Sequence, residues 1–393
     1  MKFSVLLPTR NRLEYLRYAV ETVRRQDYAN WEIVVSDNDS EEDIKRYIAG
    51  LNDERIRYFR TDRLIPVTEN WNCALGQSNG DYVVMLGDDD GLLPGYFSAL
   101  LGAFNTHPSA DYVYVGGYYF AYHGAVKDEP EGFLRRDSNQ YCAGIEPHWL
   151  NRKTAHEIAG GYLAFRMPVA SNMQFSLISR RMIDRLSADG PFFRSPYPDF
   201  YATPLLFLLA EKILICPAPM VVVGITPKSY GAFHGTDRVA QGVKFLGNEG
   251  ALAEASPARK YMLPGTSYYD SWLLAMESLR KASGGEIRPN YQRYRFLQIV
   301  HGYKARYFDR RFVAAELRPL CSAMTFSERM LYGVTLSIGF TMLRVVPGSA
   351  RRSIVAALRR LIGQHAIRKE TAKHPPCATL LDVYEAIDRH HAN

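Results

Sequence analysis

Several absences narrow the field before any motif is read. The 393-residue chain has five cysteines, Cys73, Cys142, Cys216, Cys321 and Cys377, an odd number at wide spacings and with no C-x-x-C. That argues against a disulfide scaffold and a paired-cysteine zinc site, and it fits a reducing compartment. A cytoplasmic location is expected, at most peripheral on the inner face of the plasma membrane. There is no G-x-G-x-x-G, which counts against a dinucleotide-binding Rossmann domain. The most membrane-like stretch, Leu331 to Val346, falls short of the roughly 20 residues of a spanning helix. It also contains Thr335, Ser337, Thr341 and Arg344, and is expected to be a core or interfacial helix. The opening run, Met1 to Pro8, is too short for a secretory leader and reads as a buried strand. There is no internal repeat, low-complexity tract or recognised nucleic-acid motif, so no nucleic-acid partner is expected.

What is present is the composition of a globular protein: 47% hydrophobic, 23% charged and 12% aromatic residues. The 26 tyrosines suit a surface that stacks on sugars or bases, although core packing uses most such residues. The net charge of +7 favours anionic partners, whether phosphates, nucleic acid or acidic lipid headgroups. Positive charge is densest late in the chain, at Arg351-Arg352, Arg359-Arg360 and Arg368-Lys369.

The first hundred residues alternate strand and helix signals. Short apolar runs at Phe3–Leu7, Trp31–Val35, Ile56–Phe59 and Tyr82–Leu86 read as strands. Between them lie helical patterns: Leu16, Val20 and Val23, with Asn11 as N-cap and Glu14 three residues on; then Ile44, Tyr47, Ile48 and Leu51; then Trp71, Ala74 and Leu75. This order implies a mostly parallel sheet with helices on both faces. Ligands of such sheets bind beyond the carboxyl ends of the strands. Three polar clusters fall there: Thr9-Arg10-Asn11-Arg12, Asp37-Asn38-Asp39-Ser40 and Asp88-Asp89-Asp90.

Farther on, strands are expected at Tyr112–Tyr122, Phe175–Ile178 and Ile213–Val223, the last broken by Pro217 and Pro219. Residues 123–165 read as a long loop region. Helices are expected at Arg181–Leu186 and Asp199–Leu209. Beyond a boundary near residue 240 the pattern turns helical, at Trp272–Lys281, Tyr291–Tyr307, Arg311–Leu317, Arg329–Leu343, Ser349–Leu361 and Leu380–Ile387.

Three adjacent carboxylates at a strand end repel one another unless a cation or a set of donors compensates. Mg²⁺ or Mn²⁺, held by one or two of them plus substrate phosphates, is one solution; a solvated turn or helix cap is the other. The Pro8–Arg12 turn offers donors to a base, ribose or phosphate, or simply caps a helix. In the second loop Asp39 and Ser40 suit capping, whereas Asp37 and Asn38 are placed for a ligand. His234 is a candidate for metal or diphosphate, with Lys228 and Arg238 as weaker phosphate candidates. Trp149 and Tyr141 are candidates to stack on a sugar, or else core residues.

Together, Pro8-Thr9-Arg10-Asn11-Arg12, Glu32-Ile33-Val34-Val35-Ser36-Asp37-Asn38 and Leu86-Gly87-Asp88-Asp89-Asp90-Gly91-Leu92-Leu93-Pro94 resemble the amino-terminal half of family 2 glycosyltransferases, bacterial surface-polysaccharide type. The resemblance extends over roughly residues 1–235. It implies a GT-A nucleotide-diphospho-sugar transferase fold at 1–240, with a nucleotide-binding half (1–104) and an acceptor-binding half (105–240), followed by a helical extension (241–393). It implies inverting, metal-dependent transfer from a nucleotide sugar, UDP-linked by expectation, to a hydroxyl of a glycan or lipid-linked acceptor in cell-surface polysaccharide biosynthesis. Pro8, Thr9, Arg10, Asn11, Arg12, Asp37, Asn38 and Asp88 would hold the nucleotide sugar, and Asp89, Asp90 and His234 the Mn²⁺ or Mg²⁺. The family often has two successive Asp where this chain reads Asp37-Asn38, so a base-reading carboxylate is replaced by an amide. Gly87 stands in place of the first Asp of a D-x-D. The catalytic base implied by a later acidic segment is Asp199, which otherwise reads as a cap after Pro198. Asn172 falls near the family's donor or acceptor pocket.

Two rival readings are a related nucleotidyltransferase, which usually has a Gly-rich basic first loop, and a non-catalytic carbohydrate- or membrane-binding scaffold on the same fold. Val334, Ile338, Met342 and Val345 share one helical face, followed by the basic, amphipathic stretch around Ile354–Ile362. Membrane contact, packing on the catalytic domain and homo-oligomerisation are all compatible with it.

Overall fold

The computed structural model describes residues 1–127, 129–229, 257–265, 267–308, 317–347, 350, 354 and 377–391. His234, Arg238 and the expected helices at 311–317 and 349–361 therefore lie wholly or largely outside the described residues.

The described residues form two compact units, the first drawn from Met1–Glu157, Val169–Ala253 and Ile367–Asn393, the second from Ile158–Pro168 and Glu254–Ala366. This differs from a single cut near residue 240, because the last helix returns to the first unit.

In the first unit, β1 (Phe3–Thr9), β2 (Trp31–Asp37), β3 (Ile56–Arg60) and β4 (Tyr82–Met85) alternate with α1 (Leu13–Arg24), α2 (Ile44–Gly50) and α3 (Val67–Gly76). They are parallel in the order β3-β2-β1-β4. Phe3, Val5, Leu6 and Leu7 are all buried, as is every residue of β2. A strand covered on both faces needs such an unbroken apolar run. Leu16, Ala19, Val20 and Val23 of α1 recur at helical spacing and are likewise buried.

The remaining strands are β5 (Gly91–Leu92), β6 (Tyr112–Ala121), β7 (Phe133–Arg136), β8 (His148–Leu150), β9 (Ser176–Ser179) and β10 (Ile213–Ile225). The sheet continues past β4 as β9-β6-β10-β5. Here the expected mostly parallel sheet gives way to a mixed one. β9 runs antiparallel to both β4 and β6, while β6 and β10 pair in parallel. Two antiparallel steps restore the original direction, so β6 and β10 point the same way as β1. The prolines at 217 and 219 shift the register of β10 without ending it. The region 123–165, expected as loop, holds β7, β8 and the helix α5 (Arg152–Leu163). The other helices of this part are α4 (Tyr96–Thr106), α6 (Arg180–Leu186) and α7 (Pro198–Leu209).

The C-terminal helix, Leu380–His391, belongs to this unit's core. Leu380, Val383 and Ile387 are buried among Leu93, Phe120, Tyr122, Leu134 and Val222. Tyr384 donates its hydroxyl to the Arg25 carbonyl at 3.0 Å, and Arg25 pairs with Glu385 at 3.0 Å. Leu380→Ala should therefore cost about 2–5 kcal/mol, the usual range for a buried leucine truncation. Urea unfolding measures this; an unchanged midpoint would show that the helix contributes nothing to the fold.

The second unit contains the helices Ser267–Ala282, Tyr291–Phe308, Leu317–Ala323 and Val334–Val345. Leu263, Ile299, Tyr303, Leu320, Met324, Phe340 and Leu343 form an apolar core there.

Candidate functional site

The register of β1 on β2 sets Thr9 beside Asp37, and β4 ends at Met85, the partner of Leu6. The first three polar clusters thus meet at one sheet edge, as expected. They are also cross-linked. The Asn38 backbone N–H donates to the Thr9 carbonyl at 2.9 Å. Asn11 N–H donates to Ser40 Oγ at 3.0 Å, and Glu41 N–H to Asn11 Oδ1 at 2.7 Å. Asn11 has a positive φ of 51°, a conformation Asn tolerates better than most residues. It does not cap α1. The N-cap position is Arg12, without a side-chain cap bond, and Glu42 from the neighbouring loop accepts from Leu13 N–H at 2.6 Å. Neither Asp39 nor Ser40 caps α2; Asp43 does, accepting from Arg46 N–H at 3.0 Å.

Freed from capping, the Arg12 side chain turns inward to the acidic cluster. It is buried and pairs with Asp88 Oδ1 at 2.8 Å and with Asp89 Oδ2. Burial alone would pull the guanidinium's pKa down, but Asp88 and Asp89 outweigh it and hold it above its usual value. The compensating cation foreseen for three carboxylates is, in this structure, an arginine from the first loop.

The three carboxylates are not equivalent. Asp88 is engaged on both oxygens, by Arg12 and by Thr9 Oγ1 at 2.8 Å. Burial pushes its pKa up to about 6 against the pull of Arg12. Asp90 accepts from Gly87 N–H at 2.9 Å, from Gly224 N–H at 2.8 Å and from the Gln174 amide. Burial, then Asp89, drives its pKa well above the ordinary carboxylate range. Asp90 therefore braces the loop. Gly87 is required for this fold-back, because a Cβ there would run into the Asp90 carboxylate; likewise a Cβ on Gly224 would run into the Asp89 carbonyl. Asp89 receives Arg12, Ser229 Oγ at 2.7 Å and Thr226 Oγ1 at 3.4 Å, all on Oδ2. Among the described residues no group of three His, Cys, Asp or Glu side chains converges as a metal cage. The donor set fits an ion held by Asp89 with most of its ligands coming from elsewhere, the usual arrangement for Mg²⁺ on a phosphate substrate.

Asp37 is fully buried, accepting from Ser40 N–H at 3.0 Å and from the Tyr58 hydroxyl at 2.7 Å. Asn38 turns to the loop after β3, donating to the Ile65 carbonyl at 2.8 Å and accepting from Ile65 N–H at 2.9 Å. Its amide makes one donor and one acceptor contact there, a pairing a carboxylate could not make. Pro8 and Arg10 flank Thr9 at the same edge, both partly exposed. Exposed Lys228 reaches the Asn11 carbonyl at 3.0 Å, so this phosphate candidate joins the first loop.

Asp199 lies in the first turn of α7, partly buried, with Oδ1 accepting from Phe200 N–H at 2.9 Å. Burial raises its pKa to about 6. The preceding loop is stapled to α3, with Phe193 and Asn72 exchanging bonds of 2.9 and 3.1 Å. On its other side Thr203 donates to the Ser171 carbonyl at 2.8 Å, in the turn that leads to Gln174 and hence to Asp90. Asn172, in that turn, is reached by the Tyr119 hydroxyl at 3.5 Å. Trp149 is exposed and packs edge-on against His107, and Tyr141 is half-buried in a short turn; neither touches the acidic cluster in any described bond or ring contact.

Thr226, Ser229 and Gln174 were not foreseen. Ending β10 at Val223 hid the fact that Thr226-Pro227-Lys228-Ser229 is a fourth polar loop at the same edge.

The model of glycosyl transferase family 2 matches residues 4–169, the stretch that supplies β1 through β8 and the whole acidic loop. Residues 4–169 are thus similar to glycosyl transferase family 2. The chain is 39% identical over 103 residues to the GalNAc(5)-diNAcBac-PP-undecaprenol beta-1,3-glucosyltransferase of Campylobacter jejuni, covering 25% of this chain and 33% of that protein. It is 28% identical over 87 residues to the UDP-Glc:alpha-D-GlcNAc-diphosphoundecaprenol beta-1,3-glucosyltransferase WfgD of Escherichia coli, covering 22% and 34%. The chain thus spans about a third of the length of these curated relatives. The Staphylococcus aureus TarS 1–349 structure aligns with a TM-score of 0.46 at 13% identity, over 85% of this chain and 92% of that one.

Proposed function

We propose that the protein is an inverting glycosyltransferase that moves a sugar from a UDP-sugar to a hydroxyl of a lipid-linked glycan in surface-polysaccharide synthesis. The observation that supports this best is the acidic loop, bound through Thr9 and Arg12 to the first loop at the carboxyl edge of the parallel strands. The names of the two relatives supply the donor and acceptor classes, a UDP-sugar and a diphosphoundecaprenol glycan.

In this reading Thr9, Arg10 and the Asp37–Asn38 loop surround the nucleoside. Lys228 and Arg12 offer positive charge to the diphosphate. Asp89 would hold Mn²⁺ or Mg²⁺ with the donor's phosphates, and the ion would neutralise the departing diphosphate. Asp88 holds Arg12 and Thr9 in place, and Asp90 fixes the loop. Asp199 takes the proton from the acceptor hydroxyl as that oxygen attacks the anomeric carbon. His234, outside the described residues, stays a further metal candidate.

The test is transfer of label from radioactive UDP-sugars into a butanol-extractable lipid fraction. The expected result is incorporation from one UDP-sugar by the wild type, with loss in Asp199→Asn. Intact donors in every combination, from folded protein that binds them, would contradict the reading.

A further inference from the structure

The second unit presents an apolar face that its own core does not use. From Phe326 the chain runs through a π-helical stretch, Arg329–Gly333, into the helix Val334–Val345. One side packs inward through Gly333, Phe340 and Leu343. The opposite side exposes Met330, Leu331, Val334, Ile338, Met342 and Val345, between 46% and 82% accessible each. At 1.5 Å per residue this stripe is about 24 Å long. Scattered apolar residues on a surface need no explanation, but a continuous helical stripe of this kind marks an interaction site.

Two further observations say what covers it. The hydroxyls on this side donate to the helix's own carbonyls, Thr335 to Leu331 and Thr341 to Ser337 at 2.7 Å, so their donors do not depend on water. Charge is the second. From Arg329 to Lys369 the sequence has Arg329, Arg344, Arg351, Arg352, Arg359, Arg360, Arg368 and Lys369, and no Asp or Glu at all. A second copy docking through the same face would bring the exposed Arg329 and Arg344 of both copies together, since a two-fold contact pairs a patch with itself. An anionic lipid surface complements them. No described helix is long and apolar enough to cross a membrane, so the contact lies along the surface.

We propose that this face seats the protein on an anionic phospholipid surface, with Met330, Leu331, Val334, Ile338, Met342 and Val345 entering the headgroup–acyl boundary. The proposal stands apart from the glycosyl-transfer reading, because lipid contact is measured without turnover.

The experiment is flotation of the full chain with vesicles of phosphatidylcholine alone or mixed with phosphatidylglycerol, for the wild type and the triple variant Leu331→Gln, Ile338→Gln, Met342→Gln. The wild type should float with the anionic vesicles, less so at raised salt. The variant should lose on the order of tenfold or more in partition while keeping its thermal midpoint. Should the triple variant fold poorly, Ile338→Trp gives an independent signal: tryptophan quenching by brominated anionic lipid beyond that of the wild type. Failure of the wild type to float, equal flotation of a folded variant, or no added quenching would overturn the proposal. So would a lipid-free dimer in sedimentation that the triple variant dissociates, which would assign the face to a second copy.

Discussion

Arg12→Met should destabilise the first unit by about 3–5 kcal/mol, the cost of removing one partner from a buried ion pair. Arg12 is buried against Asp88 at 2.8 Å and against Asp89, and no other described cation reaches either carboxylate. Without it, two adjacent buried carboxylates lose the one cation that pairs with them among the described residues. Asp88, already pushed up to about 6 by burial, would shed the strain by taking up a proton, so the loss should grow as pH rises through the neutral range. The same variant gives a readout for the metal that does not depend on turnover. Mn²⁺ should return part of the lost stability, since the ion can replace the missing charge beside Asp89. Chemical denaturation with and without Mn²⁺ decides it. A variant as stable as the wild type would show that the acidic loop does not depend on Arg12.

Asp199→Asn should lower kcat by about 10²- to 10⁴-fold, the range for loss of a general base, and leave nucleotide affinity unchanged. The wild-type rate should rise with pH through about 6, where the buried Asp199 carboxyl ionises. The stability effect has the opposite sense. A carboxyl whose folded pKa lies above its unfolded value binds more protons when folded, so its contribution falls as pH climbs from the unfolded pKa to about 6. The asparagine variant, which cannot ionise, should melt no lower than the wild type above that pH. Should Asp199 serve only to start α7, asparagine would substitute well at the helix terminus and kcat would barely move.

The nucleotide-binding half was legible because its signals are local. Period and apolarity mark four strands, three of them buried, and each polar cluster follows one of the buried three directly. The convergence of Thr9, Asp37 and Asp88–Asp90 follows from strand direction alone. What the sequence does not reveal is how the polar groups divide their partners. Asn11 and Arg12 are adjacent, and both read as a cap or a ligand contact; only the fold shows Asn11 bonding the next loop and Arg12 turning to the carboxylates. Three successive Asp read as one metal cluster, but alternate directions along the chain give Asp90 to Gly87, Gly224 and Gln174 and leave Asp89 facing Arg12. Gln174 and Thr226 come from positions 84 and 137 residues distant from their partners, which no local pattern reports. The C-terminal helix was recognised as a helix, yet its docking on α1 and β5 rests on long-range packing of Leu380 against Thr22 and Gly91.

The account turns on the claim that this edge binds a nucleoside diphosphate together with a divalent ion. The direct test is the thermal midpoint with UDP, GDP, CDP or dTDP, each with and without Mn²⁺, for the wild type and Asp89→Ala. At about a hundredfold over Kd a ligand stabilises by about 2.7 kcal/mol, so UDP with Mn²⁺ should raise the wild-type midpoint and leave Asp89→Ala unmoved. No shift of the folded wild type with any nucleotide would contradict the donor site.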